Sequence, residues 1–301
     1  MQISKWILYA FLVSGAAQAQ VYKVALDHPT AVRAVGDVSL YVNSIDLSPA
    51  GDALLLDLQK NNSPRVFEMT SQGHSLHQLS PDTDPPAERP KFAPDGRSIL
   101  FVERRFPSTI MSVDLAWRTK VSIVAGYEPS ESHDGSRIVF TNETDANPIE
   151  LYIAKLDGTS VQHIVRQSGS FFVSNPSFDP KDPRHIIYSD GSRGIAEINS
   201  DASGYQLILK DSNAVEPNFS ADGSEIIYAT SATSGPPKFD IFLMKSDGTQ
   251  NHRITNVPGV WCRNPVLSPD GQTVYFIEYR GAAIEHFQRE RRLRSRVRDA
   301  N

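Results

Sequence analysis

Pro265-Val-Leu-Ser-Pro-Asp-Gly271, followed at once by Gln272-Thr-Val-Tyr-Phe-Ile277, is the stretch that decides how this 301-residue chain folds. Proline presets φ, and Asp-Gly supplies a short polar side chain followed by a residue free to take positive φ, so Pro-Asp-Gly closes a tight hairpin. The apolar, β-rich run that follows is then a second strand paired back onto the first. Five relatives of this phrase precede it: Ile45-Asp-Leu-Ser-Pro-Ala-Gly51, Pro90-Lys-Phe-Ala-Pro-Asp-Gly96, Pro129-Ser-Glu-Ser-His-Asp-Gly135, Pro176-Ser-Phe-Asp-Pro-Lys-Asp182 and Pro217-Asn-Phe-Ser-Ala-Asp-Gly223. The six starts lie 45, 39, 47, 41 and 48 residues apart. A period of about 40–50 residues is what four short strands and their turns need, the unit of a propeller blade.

A second phrase recurs within the units, clearest as Glu150-Leu-Tyr-Ile-Ala-Lys-Leu-Asp-Gly158 and Asp240-Ile-Phe-Leu-Met-Lys-Ser-Asp-Gly248, with weaker versions at Arg65–Glu68, Thr109–Asp114 and Gly194–Asn199. Its alternation of apolar and polar positions suits half-buried third strands. The sixth unit lacks this half, whereas Val21–Asp27 and Ala31–Val35 precede the first turn phrase and read as a third and a fourth strand. Because closure removes unpaired sheet edges, the expected fold is all-β: a single six-bladed β-propeller of four-stranded blades over residues 20–281, its last blade completed by N-terminal strands. An open array of hairpins is the alternative.

Bulk properties frame that reading. The chain is 40% hydrophobic and 22% charged, so it is neither disordered nor collagen-like. Lys5, the apolar run Trp6–Val13 and the small residues ending at Ala19 read as a signal peptide over 1–19, with a fixed anchor as the alternative. The run is too short to span a bilayer, which takes about 20 residues, and no later stretch approaches that length. Export to a periplasm or the exterior, with no transmembrane segment left after cleavage, is therefore expected. A lone Cys262 forms no internal disulfide and no cysteine metal site. The tail at 282–301 carries six Arg against Glu285, Glu290 and Asp299, a net of +3; without the leader and the tail, 23 basic and 32 acidic residues leave the body at −9. So acidic a body argues against nucleic acid. The tail is either a contact for an anionic membrane or acidic partner or a solvated terminus.

Ser-Pro-Asp-Gly before an apolar strand, then Asp240-Ile-Phe-Leu-Met-Lys-Ser-Asp-Gly-Thr249 ending near His252-Arg-Ile-Thr255, resembles the WD40-like propeller repeats of TolB-like proteins. The resemblance runs from about Val21 to Ile277 and implies a partner-binding propeller of the cell envelope. TolB proteins of the Tol–Pal system carry an α/β domain ahead of their propeller; here only about twenty-five residues separate the leader from the first turn phrase, so that domain is not expected.

Propellers bind at the mouth of the central channel, where the innermost strands begin. The residues just before the Pro-equivalent positions are Ser44, Arg89, Glu128, Asn175, Glu216 and Asn264, all polar. Converging on one axis, they could hold a calcium ion through Glu128 and Glu216 with Asn175 and Asn264, since hard cations prefer carboxylate and amide oxygens; the plainer reading is a watery channel with an Arg89–Glu128 ion pair. Trp261, in Val260-Trp-Cys-Arg263, is a further candidate at the mouth, able to stack on a sugar or anchor a peptide, or else it packs between blades, and Phe171-Phe172 invites the same two readings. Glu131 stands where the other units have Leu or Phe, and His133 replaces the turn proline: either a blade that opens toward a ligand or a relaxed strand.

No Gly-x-Ser-x-Gly, His-Glu-x-x-His or phosphate-binding loop occurs. The expected role is a non-catalytic scaffold, monomeric, holding a protein or peptide partner in the cell envelope. The alternatives are a lyase or hydrolase of polyuronides or other glycans, whose sites can be assembled from separate blades, and an accessory subunit of a membrane complex contacting through the tail.

Overall fold

The computed structural model describes residues 18–105, 107–142, 149–165, 173–191, 193–231 and 238–281. The leader up to residue 17, Phe171-Phe172 and the Arg-rich tail lie outside the described residues. Six four-stranded antiparallel sheets follow one another. Blade one is Tyr41–Leu47, Ala53–Lys60, Ser63–Thr70 and His77–Gln78; blade two is Ala87–Phe92, Ser98–Glu103, Thr109–Asp114 and Lys120–Ala125. Blade three is Tyr127–Glu131, Arg137–Thr141, Leu151–Lys155 and Gln162–Val165; blade four is Val173–Phe178, His185–Asp190, Gly194–Asn199 and Gln206–Leu209. Blade five is Val215–Phe219, Glu225–Ser231, Phe239–Lys245 and His252–Arg253. Blade six takes Trp261–Leu267 and Thr273–Arg280 from one end of the described chain and Gln18–Ala25 and Arg33–Ala34 from the other.

That junction closes the ring as expected. Val21 lies opposite Ile277 and Ala25 opposite Thr273, while Tyr22 pairs with Ala34 on the outer side. Innermost strands touch their neighbours all the way round, blade six returning to blade one. The N-terminal strand starts earlier than its sequence suggests: pairing begins at Gln18, opposite Arg280, and Ala19 is fully buried, so the strand crosses the expected cleavage point.

Burial follows the sandwich logic of stacked blades. Second strands are covered on both faces, so their runs are continuously apolar rather than alternating; Leu54, Leu55, Leu56 and Leu58 are wholly buried. A serine of the turn phrase closes the hairpin in four of the six blades. The hydroxyls of Ser48, Ser132, Ser220 and Ser268 accept the amides of Ala53, Arg137, Glu225 and Thr273 at 2.8–3.0 Å. They donate in turn to Asp52, Asp134, Asp222 and Asp270. Outer strands of only two residues in blades one, five and six leave little exposed edge. Among the described residues no helix is long and apolar enough to cross a membrane.

Candidate functional site

The six residues chosen from the repeat do meet on one axis: Ser44, Arg89, Glu128, Asn175, Glu216 and Asn264 all line a single central cavity of about 50 Å³. Local backbone chemistry puts them there. Arg89, Glu128, Asn175, Glu216 and Asn264 have φ between 51° and 59°, each followed by proline. Each sits in a β-bulge where the register skips, as between Glu88 opposite Val102 and Lys91 opposite Leu100. In the bulge the proline's missing N–H costs no ladder bond, and the left-handed residue turns its side chain out of the pleat. Blade one has Ile45 in place of proline and skips only Asn43, so Ser44 keeps its partner Asp57.

Contacts around the ring alternate. Carboxylates from blades one, three and five each accept the backbone N–H of the ring residue in the next blade: Asp57 from Arg89 at 3.2 Å, Glu128 from Asn175 at 2.8 Å, Glu216 from Asn264 at 2.7 Å. Two guanidiniums complete the set. Arg89 pairs with Glu128 at 3.2 Å and lies over the Tyr127 ring, 4.9 Å from its centroid. Arg263 grips Glu216 through Nε at 3.0 Å and Nη2 at 2.7 Å and covers the Phe239 ring at 4.3 Å.

Electrostatics differ from blade to blade. Burial opposes ionisation of Glu216, but Arg263 and the Asn264 amide outweigh it, and its carboxyl titrates below the ordinary range. Asp57 has no guanidinium in its first contacts; burial and then the charge of Glu88 push it up to about 7, against the opposing bond from Asn43. Ser44 Oγ is buried without a hydrogen-bond partner.

Other sequence candidates fall elsewhere. Trp261 is 6% exposed and meets Phe239 edge-on at 5.4 Å, inside the core joining blades five and six; it does not line the channel. Cys262 beside it is fully buried, its thiol pushed up to about 12 by burial. Glu131 is half-buried at the opposite ends of the inner strands, and burial, joined by the charges of Asp95 and Asp134, raises it to about 7. Asp57 and Arg263 were the residues that single-position reading missed. Their signals were present: Asp57 is an acid inside the apolar run Ala53–Leu58, and Arg263 directly precedes a ring position.

A closed propeller with a polar channel ring, braced from blade to blade and sealed by strands from both ends, is the class of protein that this fold and site define. More particularly, the chain is a TolB-like six-bladed propeller. It is 26% identical over 231 residues to the Tol-Pal system protein TolB of Francisella tularensis, covering 71% of this chain and 51% of that relative. The structure of a putative TolB from Agrobacterium tumefaciens superposes with a TM-score of 0.74 at 17% identity, over 89% of this chain and all of that one. An oligogalacturonate lyase in complex with manganese shares the fold with a TM-score of 0.57 at 11% identity, over 88% of this chain and 92% of that one. No family model matches the chain. The chain spans about half, 51%, of one of these curated relatives and 32% of another.

Proposed function

We propose that the protein is an exported, non-catalytic scaffold of the cell envelope that holds a protein or peptide partner across the channel-mouth end of the ring. The alternating brace of charges around that mouth carries the reading. Arg89, Glu128 and Glu216 are held in place by neighbours before any partner arrives, Glu216 by the buried Arg263 behind it, so a ligand that meets them gives up little ordering entropy. Similarity to a Tol-Pal system protein supports the envelope setting.

A hard cation on the axis would have to share Glu128 with Arg89 and Glu216 with Arg263. Glycan chemistry gains less support. The lyase likeness, at 11% identity, is one of fold. The cavity of about 50 Å³ has room for a few waters and not for a sugar ring. Among the described residues no group of three or more His, Cys, Asp or Glu could hold a metal.

The experiment places a photo-crosslinking amino acid at Asn175 or Asn264 in the native host, with Asp222 on the hairpin end as the control. Crosslinks to one envelope protein from the first two positions and none from Asp222 are expected. Crosslinks from Asp222 alone, or cleavage of oligogalacturonate by the purified protein, would reverse the reading.

A further inference from the structure

Blades three and four meet, at the hairpin end of their sheets, in a corner that the protein fills with its own arginine. Arg137, the first residue of the second strand of blade three, lays its guanidinium over the Phe178 ring at 5.9 Å from the centroid. It donates to Ser200 Oγ at 2.9 Å and to the Pro183 carbonyl at 2.8 Å. One junction further on, the register identifies the same positions. His185 stands for Arg137, since Ile138 and Ile186 pair alike with the ends of their inner strands. Phe219 stands for Phe178 and Ser246 for Ser200 by the same ladder positions. Histidine is too short to do what Arg137 does, and the corner between blades four and five is open: a cavity of about 250 Å³ bordered by His185, Phe219, Ser246, Glu197, Asp179 and Asp247.

The lining shows what would fill it. Among the described residues no Lys, Arg or His nitrogen lies within 4.0 Å of the Glu197, Asp179 or Asp247 carboxylates. Asp247 spends Oδ1 on Thr249 and Asp179 spends Oδ1 on the Lys181 amide, which leaves their second oxygens for a visitor. Ile208 and Phe219 supply an apolar wall for an alkyl stem and an aromatic face for a planar cation. We propose that this corner is a docking socket for an arginine side chain presented by a partner protein, taken up as Arg137 is taken up next door. The socket lies at the hairpin end of the blades, apart from the channel mouth, and does not depend on what binds there.

The test uses the whole protein and two blocked tripeptides, acetyl-Gly-Arg-Gly-amide and its lysine counterpart, titrated at low ionic strength while backbone amide shifts are followed. The arginine peptide should move the amides of Glu197, Ser246 and Asp247, and the lysine peptide should bind more weakly, having no fork of donors. His185→Arg should seal the socket from within and weaken peptide binding about tenfold or more, without lowering the melting temperature. Glu197→Gln should weaken it about threefold, and this variant decides the matter should His185→Arg fail to fold. Equal affinity in the sealed variant, or equal shifts at the Asp270-Gly271 hairpin, would show attraction to net charge alone and overturn the proposal.

Discussion

Glu216 of blade five and Arg263 of blade six face each other with two hydrogen bonds, at 3.0 and 2.7 Å, both side chains nine-tenths buried. The same carboxylate also accepts the Asn264 amide, so one side chain ties the neighbouring blade by both its backbone and its guanidinium. Glu216→Gln would leave the buried guanidinium without its counter-charge, and removing one partner of a buried pair costs about 3–5 kcal/mol. Urea unfolding should show that loss, whereas Glu216→Gln combined with Arg263→Met should recover part of it. A double variant no more stable than the single would mean that the pair is not what joins the blades.

Asp57 leads to a pH prediction. Its carboxyl is raised to about 7 by burial, so between the ordinary carboxylate pKa and 7 the folded protein holds a proton that the unfolded chain has lost. The folded state therefore binds more protons, and this group makes stability fall as pH rises through that window. Asp57→Asn, which keeps an acceptor for the Arg89 amide, should be more stable than the wild type above pH 7 and should lose that advantage below the ordinary carboxylate range. The gain is on the order of a few kcal/mol at most. Glu131, also raised to about 7, acts in the same direction and more weakly because it is half in solvent. Urea midpoints from pH 4 to 8 for Asp57→Asn and Glu131→Gln check both.

Calcium offers a third test. Both carboxylates expected to hold it are engaged: Glu128 by Arg89 and the Asn175 backbone amide, Glu216 by Arg263 and the Asn264 backbone amide. Protein stripped with chelator and protein in millimolar calcium should melt at the same temperature. Binding to the folded state alone would raise the melting point with concentration, so a calcium-dependent shift that Glu128→Gln abolishes would show a cation on the axis.

The repeat made the fold legible because a related turn chemistry recurs from blade to blade: five of the six turns end on a positive-φ glycine, four of them after an aspartate, a pairing that cannot serve a helix, and six copies at blade spacing leave few architectures. Ring positions were legible for the same reason, since a residue just before a repeated proline keeps its place in five of the six copies. What escaped were relations between blades. Asp57 reaches Arg89 from a different strand and a different position from those of Glu128 and Glu216, so no alignment of the six copies brings it forward. Trp261 looked like a mouth residue because Asn264 is only three positions away. Before the bulge, however, the strand still points Trp261 into the core.

Closure supplies the last prediction. Val21 and Val24 are buried at 1% exposure against a core shared by blades six and one, and their strand supplies a complete ladder from Ala25 opposite Thr273 to Gln18 opposite Arg280. A charge at Val21 has no partner there, and an unpaired buried charge either neutralises or breaks the packing. Val21→Asp should therefore destabilise the whole ring by more than the roughly 0.5–3 kcal/mol of an ordinary substitution, in one transition, because the edge of Thr273–Arg280 is exposed when that strand leaves. Val161→Asp, on an exposed outer position of blade three, should change little. If Val21→Asp instead melted blade six alone, with the other five blades unfolding at their former denaturant midpoint, the two ends of the chain would be decoration on the ring and not its lock.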